Sequence, residues 1–103
     1  MFIVYSHSQV PIRLTIERWK HIVTNHPEMD TQKERVLETV AEPDLIQEGD
    51  YGELLAARFY EETPLTSKHL VVAYRETDTE DGFVVTAYLT RRPSTQRTLL
   101  WKR

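Results

Sequence analysis

The sequence predicts an α+β fold in which two N-terminal helices pack on a three- to four-stranded antiparallel sheet. Three observations predict it. Between Thr15 and Pro43 the apolar residues recur at helical spacing. From Leu54 onward they fall instead into strand-like runs rich in β-branched and aromatic residues. Proline and polar clusters separate the segments. A chain of 103 residues fits a single domain, 1–103, with one layer of helix on one of sheet.

In chain order, Phe2 to Tyr5 and Val10 to Leu14 suit short strands around a polar turn at Ser6-His7-Ser8-Gln9. Thr15 is an expected N-cap, with Glu17 near the positive helix end. Ile16, Trp19, Ile22, Val23 and His26 share a face, and Pro27 stops the helix. Thr31-Gln32-Lys33-Glu34 reads as a capping box for a second helix, with Val36, Leu37, Val40 and Ala41 inward and Pro43 at its end. Pro43-Asp44-Leu45-Ile46 reads as a turn, and 49–52 as a loop. Strands are expected at Leu54–Glu61, Lys68–Glu76, Phe83–Arg91 and Thr98–Lys102. The turns between them are 63–67 and 77–82, the second carrying the hairpin signal Asp81-Gly82. Alternation places Leu54, Ala56, Arg58 and Tyr60 on one face, and separates Phe83, Val85, Ala87 and Leu89 from Val84, Thr86, Tyr88 and Thr90.

The chain has no Cys, which excludes a disulfide scaffold, a thiolate metal site and a Cys nucleophile. The apolar start Met1 to Tyr5 is too short for a signal peptide, and no run approaches a membrane span; a cytoplasmic protein with no membrane partner is expected. The net charge of −3 argues mildly against nucleic acid. Its distribution is uneven. Acids crowd residues 27–62, whereas 86–103 carries only Arg91, Arg92, Arg97, Lys102 and Arg103. A charge-protected strand edge is the first explanation for that run, and a phosphate-attracting patch the second.

His21 and His26 are five residues apart and diverge by about 140° on a helix, so they chelate one ion poorly. His7 and His69 fall in other elements, and neither a metal site nor a cofactor is expected. With three Gly there is no phosphate-cradling loop, and no Ser stands in a nucleophile elbow. What remains is a set of His, Arg, Thr and Tyr. Arg58 interrupts the apolar run 54–60, where a charge needs a partner, such as one of the many carboxylates at a sheet edge. His21 shares a helix face with Arg18 and Asn25, opposite Trp19. Trp101 reads as a lid on the core rather than a stacking platform.

Leu14-Thr15-Ile16-Glu17-Arg18-Trp19-Lys20-His21-Ile22 followed by Asn25-His26-Pro27-Glu28-Met29 resembles the opening of the phage-type barnase–EndoU–colicin–RelE-like (BECR fold) nucleases. Glu42-Pro43-Asp44, Ala57-Arg58-Phe59-Tyr60, His69 to Tyr74 and Gly82 to Tyr88 follow in the same order, so the resemblance runs from about Thr15 to Trp101. Asn25 departs from it, standing where that family has Arg before His-Pro; Arg18 or Arg58 would have to substitute. The resemblance implies a RelE/barnase-like architecture and metal-independent endoribonuclease action, in which the RNA 2′-hydroxyl attacks the adjacent phosphate. On that basis His26 or His21 is the expected base or acid, Arg58 the phosphate clamp and Thr86 a hydrogen-bond donor. Arg18 and Asn25 join Tyr60 and Tyr88 as expected substrate contacts. The alternative is an inactive interaction domain on the same scaffold with an inhibitory protein partner, as in a toxin–antitoxin pair. Self-association through the sheet is a third expectation.

Overall fold

The computed structural model describes residues 1–66 and 68–103. The chain begins in the sheet. A hairpin of β1 (Phe2–Tyr5) and β2 (Pro11–Leu14) precedes α1 (Ile16–Asn25), a 3-10 turn (Pro27–Met29) and α2 (Lys33–Ala41). Then come β3 (Leu45–Glu48), β4 (Leu54–Phe59), β5 (His69–Asp78), β6 (Asp81–Thr90) and β7 (Leu99–Lys102). All seven strands join one sheet, in the order β1-β2-β6-β5-β4-β3-β7.

This corrects the expected three- to four-stranded antiparallel sheet behind two helices. The sheet is mixed, because β2 runs parallel to β6, and the other pairings are antiparallel. The strands that sequence reasoning placed outside the sheet have four residues each, too few for a periodic signal. Their partners lie far along the chain. Leu45-Ile46, read as a turn, opens β3, which pairs with β4 on one side and β7 on the other. The hairpin signal also falls differently: β5 and β6 pair as far as Asp78 and Asp81, so the turn is at 79–80 and Gly82 lies within β6. Of the turn expected at 63–67, Ser67 lies outside the described residues.

Thr15 caps α1, its Oγ1 accepting the Arg18 N–H at 3.0 Å. The helix ends at His26, whose N–H donates to the Ile22 carbonyl at 2.8 Å, and Pro27 then starts the 3-10 turn. The capping box at Thr31 does not form. Gln32 holds the cap position of α2 without a side-chain cap bond, and the Thr31 hydroxyl instead accepts from Gln32 Nε2 at 2.8 Å.

Both helices cover one face of the sheet. Ile22, Met29, Val36 and Val40 meet Ile12, Leu70, Val72 and Tyr74 in the main core. Each such buried side chain contributes about 1.5–3 kcal/mol by leaving water. Leu55, Ala57, Val71 and Ala73 form a smaller apolar cluster on the other face, with no helix residue in it. A bulge in β6 changes the expected alternation. Ala73 pairs with Thr86 and Tyr74 with Val84, which leaves Val85 unpaired. Val84 and Ala87 therefore both point to the helices, while Val85 and Tyr88 join the second cluster.

The sheet rolls. β1 and β7 are its two edges, yet His7, in the turn after β1, stacks on Trp101 of β7 with ring centroids 4.0 Å apart. The same turn is tied to β5, since Ser6 Oγ donates to the Glu76 carboxylate. Among the described residues no helix is long and apolar enough to cross a membrane.

Candidate functional site

The face turned away from the helices carries a cleft of about 520 Å³. Leu55 and Val71 supply its apolar floor, Tyr88, Thr90 and Gln47 its walls, and Arg92 to Ser94 with Gln96 and Arg97 its roof. Strand register explains the grouping. Gln47 pairs with Leu55 and Tyr88 with Val71, and side chains of directly paired residues share a face. The roof segment is held at several points. Gln47 Nε2 donates to the Ser94 carbonyl at 2.7 Å, Thr90 Oγ1 to the Arg92 carbonyl at 3.2 Å, and Arg97 to the Asp50 carboxylate at 2.9 Å.

The charge here is uneven. Arg97 is neutralised by Asp50, whose hydrogen bond holds the guanidinium above its ordinary range. Arg92 lines the cleft with no carboxylate partner among the described residues. Burial pushes the Tyr88 phenol up, against a smaller opposing effect of Arg97, so it stays protonated at neutral pH.

Two imidazoles border this face. His26, at the end of α1, brings its ring to within 6.0 Å of the Tyr88 ring, and its Nδ1 stands 3.6 Å from Glu28 Oε1. The His26 side chain is 35% exposed. His69 is the direct cross-strand partner of Thr90. Its Nδ1 lies 3.0 Å from the Arg91 carbonyl, and its ring meets the edge of Phe59 at 5.4 Å. A carbonyl only accepts, so Nδ1 carries the hydrogen, and in the neutral ring Nε2 presents its lone pair. In an antiparallel ladder His69 and Tyr88 are diagonal neighbours, roughly 7–8 Å apart.

The residues predicted from sequence divide between the two faces. Thr86 and Tyr88 share the cleft face, and His26 reaches Tyr88. Arg58 does not join them. It pairs with Leu70 on the helix side, where its Nη1 donates to the Glu42 carbonyl that ends α2 and its Nε lies 3.6 Å from Glu38 Oε1. The charge found its partner in the protein's own helix. Tyr60 belongs to the same cluster: its hydroxyl donates to Glu38 Oε1 at 2.7 Å, and Arg35 lies over its ring at 4.6 Å. Burial, chiefly, pushes the Tyr60 phenol up to about 12. His21, Arg18 and Asn25 are exposed on α1, with no side-chain hydrogen bond or ion pair among the described residues.

Sequence reasoning passed over His69 and Gln47, and named Arg92 only as part of the basic run. Arg92 was signalled by the acid-free run. His69 was signalled by alternation, which aligns it with Val71 and Ala73. Gln47 had no signal, because β3 itself was read as a turn. Among the described residues no three or more His, Asp or Glu gather as a metal-ligand set. Compared with known proteins, the chain matches no family model, no curated protein and no solved structure.

Proposed function

We propose that the bare face of the sheet binds RNA and cleaves it by attack of a 2′-hydroxyl on the adjacent phosphodiester. The observation that carries this reading is the pair of imidazoles, His26 and His69, flanking Tyr88 beside a cleft that holds the unpaired cation Arg92. The reaction needs a base, an acid and a cation. His69 Nε2 takes the 2′-hydroxyl proton as the 2′-oxygen bonds to phosphorus. The bond from phosphorus to the 5′-oxygen breaks, leaving a 2′,3′-cyclic phosphate. The departing 5′-oxygen takes its proton from His26. Arg92 offsets the charge that gathers on the phosphoryl oxygens. Tyr88, still protonated, donates a hydrogen bond or stacks. Arg58 and Tyr60, committed to α2, have no part in this chemistry, and Thr86 is kept as a hydroxyl on the cleft face.

Purified protein is incubated with mixed-sequence RNA in EDTA, beside His26→Ala, His69→Ala and Arg92→Ala. Wild-type cleavage to cyclic phosphate ends is expected, with each imidazole variant slower by about 10²–10⁴-fold. No cleavage, or cleavage that neither imidazole variant changes, overturns the reading.

A protein-binding role is the second reading, favoured by the unpaired edge of β1, where Ile3 and Tyr5 are 56% and 55% exposed. A stoichiometric protein partner recovered without RNA, and lost in Ile3→Lys, supports it; recovery unchanged in that variant counts against it.

A further inference from the structure

We propose that Asp50 is a built-in stand-in for phosphate: its carboxylate keeps Arg97 in reserve, and a phosphate entering the cleft displaces it and gains a second cation in addition to Arg92. The proposal rests on the RNA reading above for its phosphodiester ligand, while its observations concern the ion pair alone. A carboxylate and a phosphodiester each spread one negative charge over two oxygens, and a guanidinium takes either with paired donors. Arg97 meets Asp50 in that way, Nη1 on Oδ1 at 2.9 Å and Nη2 on Oδ2 at 3.5 Å. Both residues line the cleft, as Arg92 does.

An aspartate in a loop commonly braces its own turn through the side chain. In this loop Glu53 does so instead: its carbonyl accepts the Gly49 N–H and its carboxylate the Tyr51 N–H, both at 2.8 Å. Asp50 is left with Arg97 as its one hydrogen-bond partner among the described residues. Arg75 Nη2 also donates to the Tyr51 carbonyl at 2.9 Å. The backbone on both sides of Asp50 is therefore tied down, and a turn of its side chain alone releases Arg97. That release costs little, because the Asp50 side chain is 71% exposed and so open an ion pair is weak. The pair also borders a second, polar hollow of about 260 Å³, so a phosphate can reach the guanidinium from either side.

The test titrates the intact chain with inorganic phosphate, chloride holding the ionic strength constant, and follows backbone amide and arginine side-chain resonances by NMR. Asp50→Asn, which keeps the shape and removes the charge, is expected to bind phosphate about two- to fivefold tighter than wild type. The gain is expected to vanish when Arg97→Ala is added to Asp50→Asn. Glu48→Gln is the control for charge alone, since Glu48 lines the same polar hollow without a bond to Arg97, and it is expected to bind as wild type does. With RNA as substrate, Asp50→Asn is expected to lower KM by a similar factor. Asp50→Asn binding no tighter, Glu48→Gln gaining as much, or a gain that survives the loss of Arg97 overturns the proposal. Tighter phosphate binding in Asp50→Asn with no RNA cleaved by either protein upholds the reserve cation and removes the nuclease. RNA cleavage with KM unchanged in Asp50→Asn keeps the nuclease and removes the reserve cation.

Discussion

A guanidinium inside an apolar strand is stabilised either by a ligand or by the protein's own acceptors, and at Arg58 the last turn of α2 supplies them. The Glu42 carbonyl is one of the acceptors that a helix end leaves unsatisfied, and the Glu38 carboxylate lies one turn earlier. Tyr60 is drawn into the same cluster, and its titration gives it a measurable signature. The phenol is neutral when protonated, and partial burial raises its folded value to about 12 against about 10 in the unfolded chain. Between those values the folded state keeps a proton that the unfolded state releases. The contribution is therefore fully present below about pH 10 and is lost as pH rises toward 12. Denaturant melts from pH 9 to 12 are expected to show stability falling across this window, and falling less steeply in Tyr60→Phe. An equal slope in the two proteins would show that Tyr60 titrates alike folded and unfolded.

At the scale of elements, β6 joins the parallel and antiparallel parts of the sheet: it accepts β2 in parallel on one side and β5 in antiparallel on the other. Gly82 is in register with Ile12 of β2 and Glu76 of β5. A Cβ there would lie 2.3 Å from the Arg75 carbonyl oxygen and 2.6 Å from Ile12 Cδ1, and a backbone oxygen has little room to move. Gly82→Ala is expected to lose about 1–3 kcal/mol of stability in denaturant melts, with the cleft's ligand behaviour unchanged at low temperature. An unaltered midpoint would mean the strands have slack. The same element shows what could be read in advance. Both helices and β4 to β6 were legible, because elements of six to ten residues carry a period, and β7 as the short apolar run Leu99-Leu100-Trp101. β1 and β2 were visible only as short apolar runs, and β3 as a pair of apolar residues. The bulge at Val85 was invisible, since it depends on how β5 pairs with β6, and it alone sends Val84 to the helix side. The site was legible in fragments for the same reason. Residue type singled out His26, Thr86 and Tyr88, but which face Arg58 would meet, and that His69 and Gln47 would border a cleft, depended on register and on the path of residues 91–98.

Over the whole molecule, the rolled sheet is closed by side chains rather than by a strand pairing. β1 and β7 exchange no ladder hydrogen bonds, and the stack of His7 on Trp101 joins the turn after β1 to the opposite edge. Gln9, at φ +66°, lets that turn come round tightly, with its N–H on the Ser6 carbonyl at 2.8 Å. A second tie, Arg13 to Asp81 at 2.8 Å, holds β2 against the start of β6 and keeps the Asp81 carboxyl below its ordinary range. Both groups are exposed, so that tie steers the packing of β2 more than it stabilises the fold. The ring stack has a firmer energetic meaning, because an aromatic pair contributes about 0.5–1.5 kcal/mol beyond the area it buries. If it closes the roll, His7→Ala and Trp101→Ala remove one shared interaction, and their effects overlap. A double-mutant cycle is expected to give a coupling of about 0.5–1.5 kcal/mol between the two positions, with the Trp101 variant the less stable single mutant. Strictly additive losses would mean that the edges are held apart by the core alone and merely touch.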